Sequence, residues 1–341
     1  MSWEILVPCS FLLSWVLVYF LQRHAKRFGL ISSVNERSSH IQPTPHGGGV
    51  GFVISGSLIG FLFAMGGSSF LWIIVTLALL IATIGLFDDI YSSPALLRLL
   101  IQIGVSFSLI LSLTNLPITG LVEGALYFKW LFIMALVIAA VWWINLFNFM
   151  DGIDGIAAMQ AVFMLLSGLG LSYYVELASI DTQESIWLLC VVGATVGFAV
   201  HNWPPARIFM GDVGSTWLAF VIFSFALYSV EMGWLSYTVW LILSALFITD
   251  ATVTLLRRMA LKMKWYKAHR SRMYQRLARR WGKHSSVVIA YLAINVIWLL
   301  PLASISTINS EWAQVCLLAA YVPLVSFAVV LGAGRQEMGV Q

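Results

Sequence analysis

Charge is scarce in this chain. Only 10% of its 341 residues are charged and 60% are apolar, whereas a soluble domain carries about a quarter charged residues and roughly half apolar ones. This composition excludes soluble globular, disordered and coiled-coil proteins. Cysteine is scarce as well: Cys9, Cys190 and Cys316 each lie in an apolar run without a CxxC pair, which argues against a disulfide framework or a zinc site. An integral membrane protein is the class that remains.

Long stretches without charge predict the membrane helices. A helix needs about 20 apolar residues to cross roughly 30 Å of hydrocarbon, and charges separate uncharged runs of this length, such as the one between Arg98 and Glu123. Runs of this kind predict helices rather than barrel strands. We expect an all-α integral membrane protein with about eleven transmembrane helices in a single polytopic domain, residues 1–341. The sequence Gly66-Gly67-Ser68-Ser69 is predicted to form the turn between the second and third helices.

The basic residues predict the orientation. With a periplasmic N-terminus and eleven spans, all but one of the 19 Lys and Arg residues fall on the cytoplasmic side, and Lys129 is the exception. The C-terminus is then cytoplasmic. The positive cluster follows the first apolar run, so this run is not predicted to be a cleaved signal peptide. We expect a multi-pass membrane protein, and the family resemblance described below implies the bacterial cytoplasmic (inner) membrane.

The predicted cytoplasmic face carries the polar chemistry. It consists of segments 22–49, 87–98, 145–156, 201–215 and 257–285. Three successive glycines that begin at Gly47 open a helix, and their bare N–H groups would allow an anion to approach closely. Arg37 adds a guanidinium fork for phosphate. A flexible junction or a tight helix contact is the alternative interpretation of the glycines.

Four aspartates allow both a functional and a structural interpretation. Asp88 and Asp89 end the third predicted span, where paired carboxylates need a cation, a proton or a basic partner. The alternative for this pair is a salt bridge to Arg98 at a helix end. Asp212 precedes an apolar span, where an N-cap aspartate is the structural alternative. Asp250 lies inside the ninth predicted span, as a functional group or as a buried hydrogen-bonding group between two helices.

A polar stripe gives the strongest metal signal. Polar residues recur at every third position in Asn145, Asn148, Asp151 and Asp154. On a helix this spacing places them on one slowly drifting face, and the neighbouring glycines allow the turn to unwind toward a ligand. Oxygen donors at a membrane edge suit a hard cation such as Mg²⁺ or Mn²⁺. Together with the glycine-rich turn and the basic residues, they predict a metal-dependent lipid phosphotransferase.

Five motifs in one order carry a resemblance to a known family. They are Asn35–Gly49, the Asp88–Asp89 pair with Arg98, N-x-x-N-x-x-D-G-x-D-G from Asn145, F-M-G-D-x-G-S from Phe209, and A-H-R from Ala268. The set resembles the polyprenyl-phosphate N-acetylhexosamine-1-phosphate transferase family, a glycosyltransferase-4-like group of membrane enzymes. The resemblance implies that UDP-N-acetylhexosamine and undecaprenyl phosphate give undecaprenyl-diphospho-sugar and UMP.

The resemblance also implies roles for individual residues. The candidate metal ligands, for Mg²⁺ or alternatively Mn²⁺, are Asn148 and Asp212. The candidate catalytic residues are Asp88, Asp89, Asp212 and His269. The candidate substrate contacts are Arg37, His40, Gly47, Gly48, Arg98, Asp151, Asp154, Arg270 and Arg272. Asp88 or Asp89 would position or deprotonate the lipid phosphate, Asp154 would contact the uridine nucleotide, and His269 with Arg270 would bind the diphosphate.

One departure from the family pattern indicates a branch. His269-Arg270-Ser271-Arg272 stands where many members carry a His-x-His-His type cluster. This form resembles the branch that initiates O-antigen or common-antigen synthesis, a part of lipopolysaccharide biosynthesis, and argues against the peptidoglycan-precursor transferase. The expected partners are undecaprenyl phosphate, a UDP-N-acetylhexosamine and the lipid bilayer, with no nucleic acid; a homodimer is left open.

Two other classes of protein stay open. A transporter of a phosphorylated sugar would also be all-helical, but it should show inverted repeats and polar groups midway across the membrane. A non-catalytic assembly protein would need none of Asp88, Asp151 and Asp212. The clustering of the polar residues on one predicted face favours the enzyme.

Overall fold

The computed structural model describes residues 3–30, 44–113, 116, 126–263 and 270–335, and the secondary-structure elements within them are helices. The α-helices are α1 (Trp3–His24), α2 (Gly49–Met65), α3 (Ser69–Tyr91), α4 (Ala95–Ser112), α5 (Leu126–Met150), α6 (Ile156–Val175), α7 (Gln183–Asn202), α8 (Asp212–Glu231), α9 (Tyr237–Leu243), α10 (Ala245–Ala260), α11 (Met273–Trp281), α12 (His284–Ile294), α13 (Leu300–Ile308) and α14 (Ala313–Val330). A π-helical turn, Asn295–Leu299, joins α12 to α13.

The all-helical membrane fold is confirmed, whereas the expected count of eleven spans is not. Nine helical segments of the described residues are long and apolar enough to cross a membrane. A tenth span results if α9 and α10, which meet at a 72° bend, are taken as one. Helix α2 has 17 residues and so a length of about 25 Å at 1.5 Å per residue, which is short for a full crossing.

Helix α8 lies at the centre of the bundle, with α2, α3, α5 and α6 packed around it. Its side chains are almost all buried; Trp217, for example, packs against Phe52. The Trp143 indole of α5 donates a hydrogen bond to the Ala219 carbonyl oxygen of α8, at 2.9 Å. Because α8 is enclosed by helices, its first residue lies in the middle of one end of the bundle. This end, where α3 and α5 end and α8 begins, is called the site end below.

Close packing of α3 against α8 requires Gly85. A Cβ atom on this residue would lie 2.7 Å from the Asp212 carbonyl oxygen, too close for any side chain. The contact brings the last turn of α3, which carries Asp88 and Asp89, against the first turn of α8. Two residues that lie far apart in the sequence, Asp89 and Asp212, thereby become neighbours.

A buried aspartate fixes the short surface helix α11 at the site end. Asp250 of α10 is fully buried and accepts hydrogen bonds from the Met273 N–H at 2.6 Å, the Tyr274 N–H at 2.9 Å and the Tyr291 hydroxyl at 2.8 Å. Its carboxylate therefore caps α11 and ties it to α10 and α12. Of the two interpretations of Asp250, the structure supports the hydrogen bond that holds helices together.

Candidate active site

A polar cavity of about 270 Å³ opens at the site end. It lies where the chain leaves α5, enters α8 and passes beneath α11. Its polar lining includes Asn148, Asp151, Asp154, Asn202, Asp212, Ser215 and Gln275. Three of the four residues of the polar stripe line this cavity, together with the aspartate that begins α8.

The start of α8 is capped by an aspartate from another helix. Asp89 Oδ1 accepts a hydrogen bond from the Asp212 N–H at 2.9 Å, and Asp89 Oδ2 accepts one from the Val213 N–H at 3.1 Å. The N-cap residue itself, Gly211, has no side chain to do so. The structural alternative of Asp212 as the N-cap is therefore wrong, and its carboxylate stays directed at the cavity that it lines.

Asp88 is held by the turn between α3 and α4. Its Oδ1 accepts hydrogen bonds from the Ser93 N–H at 2.6 Å and the Ser93 hydroxyl at 2.8 Å. Its Oδ2 forms the expected salt bridge with Arg98 Nη1. The same Nη1 lies 3.2 Å from Asp212 Oδ2, so Arg98 bridges the two carboxylates. A role of Asp88 or Asp89 at the lipid phosphate stays a prediction, and the contacts within the protein give both a structural role.

The polar stripe lies only partly on a helix, because α5 ends at Met150. Asn145 donates to Gln102 Oε1 of α4 at 2.6 Å, whereas Asn148 donates to Ser215 Oγ of α8 at 3.0 Å. Asp151 and Asp154 lie on the loop that follows. The loop cannot carry a side chain at position 152, since a Cβ there would lie 2.0 Å from the Tyr274 hydroxyl of α11.

Asp154 is enclosed by protein. Its side chain is only 4% exposed, against 32% for Asp212. Asp154 Oδ2 accepts a hydrogen bond from the Ala206 N–H at 3.1 Å and lies 3.2 Å from His284 Nδ1 at the start of α12. A direct contact with a nucleotide stays a prediction, and the observed contacts show that Asp154 connects the α7–α8 loop to α12.

A second cavity, of about 260 Å³, lies on the other side of Asp212. It is enclosed by α3, α4, α5 and α8, and its lining is mostly apolar, with Ile81, Ile84, Ala95 and Leu99 among its residues. Asn148 and Asp212 line both this cavity and the polar one. These two side chains therefore stand at the boundary between a polar and a more apolar compartment.

The glycines at the start of α2 make close contacts with their neighbours, and a role of Gly47 and Gly48 in substrate binding stays a prediction. The Gly48 N–H donates to the Phe209 carbonyl oxygen at 2.8 Å, so the interpretation of this N–H as bare is wrong. A Cβ on Gly47 would lie 3.0 Å from Leu30 Cδ2. These contacts hold the start of α2 against the loop that leads into α8.

The remaining candidate residues lie at different places. Arg270 lines a third cavity beside the polar one. The Arg272 guanidinium carbon lies 5.2 Å from the centre of the Phe149 ring, a cation–π distance. Three candidates lie outside the described residues, and their roles stay predictions: Arg37, His40 and His269.

The donor set of the polar cavity fits Mg²⁺. In the part of the chain that the structure describes, no three His, Cys, Asp or Glu side chains are arranged to hold a metal ion by themselves. Mg²⁺ keeps several waters and commonly takes one or two carboxylates together with substrate phosphates. Asn148 lies beside the Asp212 carboxylate, and Asp151 lines the same cavity. This arrangement suits an ion that arrives with a phosphate-bearing substrate.

Electrostatic repulsion supports the same conclusion. Burial, with the nearby carboxylates of Asp212 and Asp89, raises the pKa of Asp151 from 3.8 to about 8. Burial is the larger cause of the shift and repulsion by the neighbouring carboxylates the smaller one, and a divalent cation in the cavity would favour the charged form of Asp151.

The raised pKa of Asp151 predicts how stability depends on pH. The folded protein keeps this proton up to about pH 8 whereas the unfolded chain loses it near pH 4, so stability should fall as pH rises between these values. In EDTA, we expect the melting temperature in detergent to fall by a few degrees between about pH 6 and pH 8. Asp151→Asn should flatten this slope, and Mg²⁺ should offset it in the unaltered protein. An equally steep slope in Asp151→Asn would contradict this assignment.

Sequence reasoning missed several residues of the site. Asn202 accepts from the Gly155 N–H and donates to the Ile208 carbonyl oxygen, both at 2.9 Å, and so joins the two loops of the cavity. Gln275 and His284 enter through α11 and α12. Asn202 and Ser215 lie inside a segment that the motifs had already marked, but no spacing singled them out.

The known proteins that this chain resembles are phospho-sugar transferases. A family model described as glycosyl transferase family 4 matches residues 71–230. A probable undecaprenyl-phosphate N-acetylglucosaminyl 1-phosphate transferase of Bacillus subtilis (strain 168) is 28% identical over 297 residues, which are 83% of this chain and 79% of that protein. A decaprenyl-phosphate N-acetylglucosaminephosphotransferase of Mycolicibacterium smegmatis is 31% identical over 56% of this chain and 51% of that protein.

A third relative joins the same set. A phospho-N-acetylmuramoyl-pentapeptide-transferase of Wolbachia is 31% identical over 224 residues, which are 60% of this chain and 67% of that protein. The family match covers α3 to α8, and all lining residues of the polar cavity except Gln275 of α11 lie within it. The resemblance drawn from the five motifs is thereby confirmed at the level of the family. The chain belongs to glycosyl transferase family 4, as a membrane-embedded member of its phospho-sugar transferases.

Proposed function

We propose that this protein transfers a sugar-1-phosphate of the N-acetylhexosamine class from a UDP-sugar to undecaprenyl phosphate and releases UMP. The observation that carries the proposal is the position of Asn148 and Asp212 between the two cavities. The polar cavity suits a nucleotide diphosphate, and the more apolar one suits a lipid phosphate. A reaction between these substrates would take place at the shared boundary.

The proposed step is an in-line displacement at the phosphorus that bears the sugar. An oxygen of the lipid phosphate bonds to this phosphorus, and the bond from the phosphorus to the oxygen that it shares with the nucleoside phosphate breaks. The electron pair leaves with UMP, and the lipid keeps both phosphates and the sugar. Mg²⁺ held at Asn148 and Asp212 would neutralise charge on the non-bridging oxygens.

The chain's own residues would orient this step without a general base. A phosphate monoester with a second pKa near 6 is already largely dianionic at pH 7. Asp89 holds the first turn of α8, and with it Asp212, in place. Arg98 lines the more apolar cavity and contacts Asp212, where its guanidinium can bind the incoming lipid phosphate. Asp88 fixes the position of Arg98.

The membrane placement follows from the charge pattern. Described basic residues of the segment 257–285, such as Arg272 and Arg279, lie at the site end, and the positive-inside rule favours a cytoplasmic position for this end. We therefore place the protein in the bacterial inner membrane with the site facing the cytoplasm. The residues 269–272 favour initiation of O-antigen or a related cell-surface glycan. Transfer of a peptidoglycan precursor is the second candidate, since relatives include phospho-N-acetylmuramoyl-pentapeptide-transferases.

Purified protein in detergent provides the test. It is incubated with a panel of UDP-N-acetylhexosamines, with and without undecaprenyl phosphate, and with Mg²⁺ or EDTA. We expect UMP release from one donor that requires both the lipid phosphate and Mg²⁺. Folded protein that releases no UMP from any of these donors would contradict the proposal and favour a transporter of a phosphorylated sugar.

A further inference from the structure

A basic cavity lies beside the polar one at the site end. Its volume is about 260 Å³, and its lining consists of Ile153, Arg270, Gln275, Ala278, Arg279, Gly282 and His284. Ile153 and Gln275 also line the polar cavity, so the two compartments share a wall. Carboxylates dominate one side of that wall, and two guanidinium groups with an imidazole lie on the other.

Asp154, which is buried, and His284, which is half-buried, form a pair next to this cavity. His284 Nδ1 lies 3.2 Å from Asp154 Oδ2, while the His284 ring also lines the cavity. The imidazole therefore stands between Asp154 and the cavity. Asp154 is too enclosed to reach a ligand there itself, because its side chain is only 4% exposed. A carboxylate that contacts one ring nitrogen fixes the orientation of an imidazole, as it does for many histidines that bind metal ions through the other nitrogen.

The guanidinium side of the cavity is also held by the protein. Arg279 Nη2 donates to the Arg270 carbonyl oxygen at 2.8 Å, which ties α11 to the segment before it. Helix α11 is in turn fixed through its capping carboxylate, Asp250. Arg279 thus stands on a fixed helix, and such placement lowers the entropic cost of binding an anion.

We propose that this basic cavity is a subsite for the phosphate attached to the nucleoside, with His284 and Arg279 as positioning residues. Asp154 acts through His284. The inference rests on the proposed function, in which a nucleoside phosphate is part of the UDP-sugar donor and departs as UMP. An imidazole and a guanidinium fork are suited to the non-bridging oxygens of such a phosphate. The donor diphosphate then spans the shared wall, with its sugar-bearing phosphate in the polar cavity.

The affinities of uridine and UMP isolate the contribution of this phosphate. Both are measured by calorimetry on the full chain in detergent, with EDTA present so that no metal ion contributes. We expect the unaltered protein to bind UMP at least about tenfold more tightly than uridine, because one charge-assisted hydrogen bond increases affinity by about this factor. His284→Gln and Arg279→Gln should each remove most of this difference and leave uridine affinity unchanged. Arg280→Gln is the matched control, because Arg280 is exposed on α11 and should leave both affinities unchanged.

Steady-state kinetics provide the second readout. In His284→Gln and Arg279→Gln, the KM for the UDP-sugar should rise about tenfold while the KM for the lipid phosphate stays the same. Equal affinities of the unaltered protein for UMP and uridine would overturn the proposal. So would unchanged UMP affinity in both variants, or an equal loss of uridine and UMP affinity, which is the result of a purely structural role. Unaltered protein that binds UMP through these residues but releases none from UDP-sugars would refute the proposed reaction and leave the subsite standing.

Discussion

Asp212→Asn should abolish turnover while the fold stays intact. The substitution removes a carboxylate from the boundary of the two cavities. It keeps the backbone N–H of residue 212, from which Asp89 accepts a hydrogen bond. The cap of α8 is therefore preserved, and the substitution removes only the negative charge that would hold Mg²⁺. A lost metal contact is worth several kcal/mol in the transition state. We expect turnover to fall at least about 10³-fold, which corresponds to about 4 kcal/mol.

The measurement for Asp212→Asn is UMP release at saturating substrates, alongside thermal unfolding. Asp181→Asn is the matched control, because Asp181 is an exposed aspartate in the connection between α6 and α7, away from the site end. The control should retain full turnover. Full activity in Asp212→Asn, with an unchanged melting temperature, would remove Asp212 from the metal site.

Asp250→Ala should cause the largest loss of stability. The substitution leaves three buried donors without their acceptor: two N–H groups of α11 and the Tyr291 hydroxyl. Each unsatisfied buried group costs about 1–3 kcal/mol, so a loss of several kcal/mol is expected. Helix α11 should detach and take Gln275 and Arg279 away from their cavities.

Graded substitutions separate this effect from general damage. Tyr291→Phe removes one of the three donors and should lower the melting temperature much less than Asp250→Ala. Hydrogen exchange should accelerate in α11 in Asp250→Ala and stay slow in α8. A melting temperature and exchange pattern like those of the unaltered protein would show that Asp250 does not hold α11.

Composition and spacing were sufficient to predict the class of the fold and the turn between α2 and α3. The glycine-serine sequence at 66–69 does separate α2, which ends at Met65, from α3, which begins at Ser69. The motifs also marked the segments that meet at the site end. These features are local, since an apolar run or a turn residue acts on its own stretch of chain.

The contacts that build the site are long-range, and local patterns do not carry them. Asp89 caps a helix that begins 123 residues later, and His284 at the start of α12 contacts Asp154 in the loop after α5. The spacing of the polar residues also did not predict that α5 ends at Met150. A period of three residues fits a continuing helix as well as it fits a helix followed by a loop that α11 covers.

The transfer of an oxygen label tests the central claim most directly. Undecaprenyl phosphate labelled with oxygen-18 in its phosphate group is incubated with the protein, Mg²⁺ and the UDP-sugar that supports UMP release. The masses of the products are then measured by mass spectrometry. The proposed attack by the lipid phosphate predicts unlabelled UMP and a single lipid diphospho-sugar that carries all of the label. UMP that accumulates beside labelled, unmodified undecaprenyl phosphate would contradict the account, because water rather than the lipid would then be the nucleophile.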